Sequence, residues 1–354
     1  MQAARYHGVR DVRIEDVEVR SPGPDDVRIE VAAGGICGSD LHEYAHGRGA
    51  TPSEPHPVTG ESTPLTLGHE FGGTVAEVGA DVERFAPGDP VAVNPIIWCD
   101  DCGPCDAGQY HRCVNGGFVG LSGGGGGFAE QVTVPAETVL PFPESVPLEL
   151  AALVEPYAVG LHAVRRSAFE TGDAVAVFGT GPIGLTIVQH LDAAGAGPIY
   201  VSEPRDARRE RAIDSGATVP IDPTAEAPVD RIVGETNGGV DVAFEVAGIE
   251  ATLAQSVEAT RPGGDVTVVS LFQEAVSFQP TGVVANERTL TGTAAYQGGP
   301  RSAEEFGPTI RKFETGALDP ELLVTSRIDL PDIDQGFEAL LDDGSDEVKI
   351  LVSP

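Results

Sequence analysis

The run "DAVAVFGTGPIGLTIVQHLDAAGA", Asp173 to Ala196, changes period at its centre. Ala174–Phe178 is an unbroken apolar segment, short enough for a strand buried on both faces. From Ile183 onward apolar residues return at helical spacing. Between the two, Gly179, Gly181 and Gly184 stand in G-x-G-x-x-G spacing, with Pro182 and Ile183 completing the loop. Gly179 permits a tight turn, Gly181 lets a pyrophosphate approach the backbone, and Gly184 allows close helix–strand packing. The first turn of the helix then offers unpaired N–H groups to phosphate oxygens. A glycine-rich turn without a ligand is the alternative. The strand before, the helix after and an acid further on weigh against it.

That acid is Glu203, which ends the next strand, "IYVSE", nineteen residues beyond Gly184. A carboxylate there accepts hydrogen bonds from an adenosine ribose and repels a 2′-phosphate, which favours NAD over NADP. Arg205, Arg208 and Arg209 follow closely, and an arginine at such a position could cradle that phosphate, so NADP stays as the second choice. Downstream, "DVAFEVAG", "DVTVVSL" and "LTGTAAY" continue the series of strands between helices. Such alternation predicts right-handed βαβ units on a parallel sheet. Upstream, residues 1 to about 157 read differently, as short strands and turns: "DVRIEV", "GGTVAEVG", "DPVAVNP" and "AEQVTVP" lie between Gly and Pro. The last ~55 residues return to a mixed pattern, with "TIRKFETGAL" as a helix and "VKILV" as a strand. The chain therefore leaves one domain, builds a second and comes back. The glycine run "SGGGGGFAEQ" is short and lies between ordered-looking segments, so it reads as a local loop.

Composition narrows the class. The chain has 354 residues, enough for two domains, and 41% of them are apolar. No apolar run approaches the ~20 residues of a membrane span, and "MQAARYHGVRDVRIEDVEVR" lacks signal-peptide pattern, so a soluble cytoplasmic protein is expected. Fifty-five acids against 22 bases give a net charge of −33, and only Lys312 and Lys349 are lysines. High net charge can keep a chain disordered, but here the acids are dispersed among ordinary apolar strands and helices. A heavily hydrated acidic surface over a normal core fits better and suggests a halophilic source. Nucleic acid is excluded as a partner, because phosphate would be repelled.

Four of the five cysteines, Cys99, Cys102, Cys105 and Cys113, follow C-x2-C-x2-C-x7-C. Thiolates at such intervals can close on one tetrahedral Zn²⁺ and saturate it. An iron–sulfur cluster and a redox dithiol are the rivals, and nothing else in the chain supports either. His111 is a substitute ligand only if a thiolate is missing. The fifth, Cys37, stands in "GGICGSDLHEY", with Ser39, Asp40 and His42 beside it. "LGHEF" supplies His69 and Glu70, and "VEPYAVGLHA" supplies Glu155. One thiolate, one imidazole and one or two carboxylates suit a catalytic zinc with an open position. Read singly, His69 is a hydrogen-bonded structural residue and Glu155 a helix cap. Spacing alone does not bring these segments together.

Taken together, "GGICGSDLH", "LGHEFGGTVAEVG", "GDPVAV", the four-cysteine lobe, "EPYAVGLHA" and "GTGPIG" carry a resemblance. The chain resembles the zinc-containing medium-chain alcohol dehydrogenase superfamily over essentially its whole length. Within it, the insertion "HPVTGESTPLTLGHE", the loop "GFVGLSGGGGGFAEQ" and the run "GFEALLDDGSDEVKILV" are similar to the 2,3-butanediol dehydrogenase branch, near sorbitol dehydrogenase. The resemblance implies an α/β protein. A GroES-like, β-rich catalytic domain would span residues 1–157 and 292–354, with a structural-zinc lobe about 95–115. A Rossmann NAD-binding domain, a doubly wound parallel sheet, would span 158–291. It implies that Cys37, His69 and Glu155 hold a catalytic zinc, with Glu70 able to exchange in as ligand. Asp40 would orient His69, Ser39 would hydrogen-bond the substrate hydroxyl, and His42 would carry the proton toward solvent. Two zinc ions per chain, one catalytic and one structural, and NAD(H) follow as cofactors. The expected reaction is oxidation of a secondary alcohol or vicinal diol to a ketone or hydroxyketone and its reverse, with (R,R)-2,3-butanediol and acetoin foremost. A polyol or sugar dehydrogenase of the sorbitol, glucose or threonine type is the alternative, and a non-catalytic NAD(H) sensor is a third. Relatives imply a homodimer or homotetramer. Tyr157 departs from the branch, which has an aliphatic residue after Glu-Pro, and this is expected to bear on substrate choice.

Overall fold

In a computed structural model, residues 1–47, 49–342 and 344–354 are described. Position 343, inside the C-terminal run quoted above, therefore lies outside them. The chain divides into two compact units. The first comprises Met1–Glu155, Tyr296–Thr315 and Val324–Pro354; the second comprises Pro156–Ala295 and Gly316–Leu323.

The first unit is built on strands. Among the described residues, one sheet runs in the order Val139–Pro141, Pro90–Val93, Glu70–Val78, Asp26–Gly35, Lys349–Ser353 and Val324–Asp329, with Gln131–Pro135 pairing beside Asp26–Gly35. The first half of Asp26–Gly35 shows why it is a strand: Val27, Ile29 and Val31 alternate inward, onto Phe71, Val75, Val91, Val132 and Val134. Glycine replaces that alternation at the strand's end. There Gly35 pairs with Glu70 on one side and Leu351 on the other. A Cβ on Gly35 would lie 2.1 Å from Glu70 Oε2, so the missing side chain makes room for a carboxylate. A smaller antiparallel sheet joins Asp11–Asp16, Gln2–Gly8 and Leu65–Thr66.

The second unit has six parallel strands in the order Val219–Ile221, Ile199–Ser202, Val175–Phe178, Val240–Glu245, Thr260–Val268 and Thr289–Gly292, counted among the described residues. Strand order reverses between Val175–Phe178 and Val240–Glu245, the switch point at which open α/β sheets bind ligands beyond their carboxyl ends. Gly179 follows one of those two strands directly. No described helix is long and apolar enough to cross a membrane.

The structure draws the units differently from the 1–157, 158–291 and 292–354 division. Gly316–Leu323 returns to the second unit, and hydrogen bonds explain why. Gln189 Nε2 donates to the Asp319 carbonyl at 3.2 Å while Asp319 N donates to Gln189 Oε1 at 2.9 Å. The Tyr157 hydroxyl also donates to that carbonyl at 3.0 Å, and Arg211 reaches Leu322 O at 3.1 Å. Tyr157 belongs to the same set of contacts. It is fully buried among these partners, accepts a 2.8 Å bond from Gln189, and anchors a crossing segment. Its hydroxyl is engaged there.

Candidate active site

Cys37 caps the helix Gly38–His46, and its backbone N–H donates to Asp40 Oδ2 at 3.0 Å. This local turn brings Cys37, Ser39, Asp40 and His42 onto one short stretch. His69 and Glu70 arrive at the start of the strand Glu70–Val78. Cys37 Sγ, a His69 ring nitrogen and a Glu70 oxygen all lie within 4.8 Å of one another, a spacing that one metal ion can span. His69 Nδ1 stands 3.5 Å from Asp40 Oδ1, both buried, and neither atom has another hydrogen-bond partner among the described residues. That pairing turns Nδ1–H toward the carboxylate and leaves Nε2 for a ligand. Ser39 Oγ sits 3.4 Å from Nε2, within reach of the same point. Burial alone would pull the His69 pKa down, but the Asp40 and Cys37 charges outweigh it and hold it well above the usual value.

The two carboxylates differ. Glu70, fully buried, accepts Lys349 Nζ on both oxygens, at 2.7 and 2.6 Å, and the same ammonium donates to Ile36 O at 2.8 Å. Glu155 lies outside the three-residue cluster, in the first turn of the helix Val154–Arg166, inside its end and so not at the cap position. Its Oε1 accepts a 2.7 Å hydrogen bond from the buried Tyr296 hydroxyl. Burial pushes Glu155 up to about 7, against the opposing pull of His69 and with a further push from Glu70. A carboxylate so short of positive charge is one that a bound divalent cation would ionise. The donor set and this charge deficit fit a zinc ion, with Cys37, His69, Glu70 and Glu155 as the residues that could hold it.

Lys349 and Tyr296 were not singled out from the sequence. Lys349 had a signal: one of only two lysines stands in the apolar "VKILV", and a cation on such a strand needs a buried partner. For Tyr296, "AAYQGG" offered none.

The crowded cysteines form the second cluster, and all four are unbridged thiols. Sulfurs about 2.3 Å from one tetrahedral zinc stand about 3.8 Å apart. The observed separations are 3.4 Å for Cys102–Cys105, 3.3 Å for Cys99–Cys113 and 3.9 Å for Cys102–Cys113. Backbone N–H groups of Cys105 and Val114 pull Cys102 down to about 7, while burial pushes Cys105 up to about 12. A closed four-thiolate site fits; His111 is not one of its members.

In the second unit, a Cβ on Gly184 would lie 2.1 Å from Gly179 O, whereas one on Gly181 would meet nothing within 4 Å. The third glycine is thus a packing requirement, and the second faces open space where a pyrophosphate can approach. Gly181 caps the helix Pro182–Ala193, so Pro182, Ile183 and Gly184 open its first turn. Glu203 is buried beside this loop: Oε2 accepts Thr180 N at 3.0 Å and Thr180 Oγ1 at 3.2 Å, and Oε1 accepts Arg205 N at 3.1 Å. The Arg208 carbonyl also accepts from Thr180, at 3.5 Å. Arg209 is drawn to Glu203 O at 2.6 Å and to Asp206 and Asp222.

Comparison with known proteins agrees with both units. Residues 23–144 match the family described as "Alcohol dehydrogenase GroES-like domain", and residues 182–314 match "Zinc-binding dehydrogenase". The (R,R)-butanediol dehydrogenase of Bacillus subtilis is 42% identical, over 100% of both chains. The chain belongs to the zinc-dependent medium-chain alcohol dehydrogenase family. Within this family it is also similar to the sorbitol dehydrogenase of Bacillus subtilis, at 34% identity over 100% of this chain and 97% of the other. The X-ray structure of 2R,3R-butanediol dehydrogenase from Bacillus subtilis superposes with a TM-score of 0.92 at 42% identity, covering 100% of this chain and 99% of that one. As in the family, the fold pairs a GroES-like unit with a Rossmann-type parallel sheet.

Proposed function

We propose that the protein oxidises (R,R)-2,3-butanediol to acetoin with NAD⁺ and catalyses the reverse reduction. Full-length similarity to a butanediol dehydrogenase supports the substrate, and the observation that carries the chemistry is the convergence of Cys37 and His69 with the buried carboxylate of Glu70. Cys37, His69 and Glu155 would hold the catalytic zinc, with Glu70 kept in reserve by Lys349, and Cys99, Cys102, Cys105 and Cys113 would hold the structural one. When bound, zinc lowers the pKa of an alcohol oxygen as a Lewis acid, and NAD⁺ supplies the hydride acceptor.

The chain's own residues do the rest. Asp40 fixes the His69 tautomer through Nδ1. Ser39 accepts the substrate's hydroxyl proton, and His42 passes it toward solvent. Glu203, preoriented by Thr180 and Arg205, accepts hydrogen bonds from the adenosine ribose, and Gly181 leaves the pyrophosphate its approach. Such a polar acceptor disfavours a 2′-phosphate, so NAD is the cofactor and NADP the poorer one.

We also assign the enzyme to the cytoplasm as a homodimer or homotetramer. The strand Thr289–Gly292 ends the parallel sheet with Leu290 exposed, an edge that a second copy can pair with. Light scattering in high salt is expected to give a dimer or tetramer mass, and a monomer mass would overturn this assignment.

A panel of alcohols tests the substrate. NAD⁺ reduction in high salt is measured with (R,R)-2,3-butanediol, sorbitol, glucose and threonine. Butanediol should give the highest kcat/KM; turnover of sorbitol with none of butanediol would replace this reading with the polyol one.

A further inference from the structure

The segment Tyr296–Arg301, "YQGGPR", touches the metal carboxylate at one end and the four-cysteine lobe at the other. At its start the Tyr296 hydroxyl donates to Glu155 Oε1 at 2.7 Å, with the ring held edge-on against Phe306 at 5.0 Å. Four of the next five residues fasten to the lobe. Asn94, buried at the lobe's root, donates to Gln297 O at 2.9 Å and accepts from Ile96 N at 3.1 Å. Gly298 packs so tightly on Ile96 that a Cβ there would lie 2.4 Å from Cγ2. Gly299 covers Trp98 and Tyr110, whose rings meet edge-on at 5.9 Å. Arg301 donates to Gly108 O at 2.8 Å, between Cys105 and Cys113.

We infer that Tyr296 is a positioning residue for the catalytic metal and that the four-cysteine lobe sets its place. The inference rests on the reading of Glu155 as a metal carboxylate. Glu155 is buried and its one hydrogen bond among the described residues comes from Tyr296, so the orientation of the carboxylate follows the position of that hydroxyl. The hydroxyl in turn belongs to a backbone whose neighbouring residues have no room to shift against Ile96, Trp98 and Tyr110. The lobe therefore does more than stabilise: its closed zinc fixes a surface against which the ligand of the other zinc is aligned. Such partners beyond the ligand shell matter to metal affinity by about 10–100-fold.

The test measures zinc affinity at the Cys37 site of the holoenzyme by chelator competition in high salt. It also records the visible spectrum after cobalt is exchanged into that site. Tyr296→Phe keeps the ring against Phe306 and removes only the hydroxyl; it should weaken zinc by about 10–100-fold and shift the cobalt bands. Arg301→Met, which alters neither set of proposed metal ligands, should move both readouts in the same direction by less, and should add nothing in the Tyr296→Phe background. Gly298→Ala, which pushes the segment off Ile96, should resemble Arg301→Met. Unchanged zinc affinity and cobalt spectrum in Tyr296→Phe would overturn the positioning role. Silence of both lobe-side variants, or full additivity with Tyr296→Phe, would overturn the coupling. Glu155→Gln separates the premise: zinc affinity unchanged in that variant would refute Glu155 as a ligand, whatever the others do.

Discussion

Replacing Lys349 by methionine removes the one ammonium that faces Glu70 among the described residues. Lys349 is 1% exposed and Glu70 0%, so solvent cannot take over either partner. Three hydrogen bonds disappear: two to Glu70 and one to the Ile36 carbonyl, which stands next to Cys37. Breaking a buried ion pair by removing one partner costs about 3–5 kcal/mol, because the other charge is left uncompensated. Native domains are stable by about 5–15 kcal/mol, so Lys349→Met should consume a large share. Replacing both partners by apolar residues removes the desolvation penalty as well, so Lys349→Met with Glu70→Met should recover most of the loss. The pH dependence has a definite sign. Burial lowers the Lys349 pKa, but Glu70 and Cys37 raise it further, leaving it above its ordinary 10.5. A raised lysine contributes fully below its unfolded pKa and loses that contribution only as pH rises through the folded one. The deficit should therefore be constant across the neutral range. The assay is equilibrium urea unfolding of the zinc-loaded protein in high salt, for the parent, both single variants and the double. A Lys349→Met cost within about 0.5 kcal/mol of zero, the range of an ordinary surface change, would refute the argument. So would a double variant as unstable as the sum of the singles.

Two further outcomes follow from the same observations. With a net charge of −33, the acidic surface needs screening, so circular dichroism and activity should both fall on dialysis into dilute buffer; unchanged spectra and full activity without salt would count against halophilic adaptation. Gly35→Ala would place a Cβ 2.1 Å from Glu70 Oε2, and should both destabilise the fold and weaken zinc at the Cys37 site; a variant matching the parent in unfolding midpoint and zinc affinity would show that Glu70 has slack the packing does not suggest.

Much of this was legible in the sequence because its signals are local. The fingerprint around Gly179 combines a strand, three glycines and a helix within one turn of chain, and each glycine's role depends only on near neighbours. The four cysteines likewise sit on one loop, so their spacing nearly specifies their geometry. Cys37, Ser39 and Asp40 share a helix start for the same reason. What escaped depends on contacts between distant segments. Lys349 meets Glu70 across 279 residues, and Tyr296 meets Glu155 across 141. Nothing in their own neighbourhoods names the partner. Gly316–Leu323 has no composition of its own to mark it for the second unit; Gln189, Tyr157 and Arg211 claim it through side-chain hydrogen bonds to its backbone. Tyr157 lies two residues after Glu155, yet its hydroxyl bonds Gln189 and Asp319, partners that its own sequence neighbours do not name.

The central claim is that the isolated Cys37, and not the crowded four, serves the reaction. Turnover of (R,R)-2,3-butanediol by Cys37→Ser, in protein shown to bind NADH as the parent does, tests it most directly. The expected result is no turnover with NADH binding intact and one zinc left on the four-cysteine lobe. An active Cys37→Ser enzyme would contradict the account.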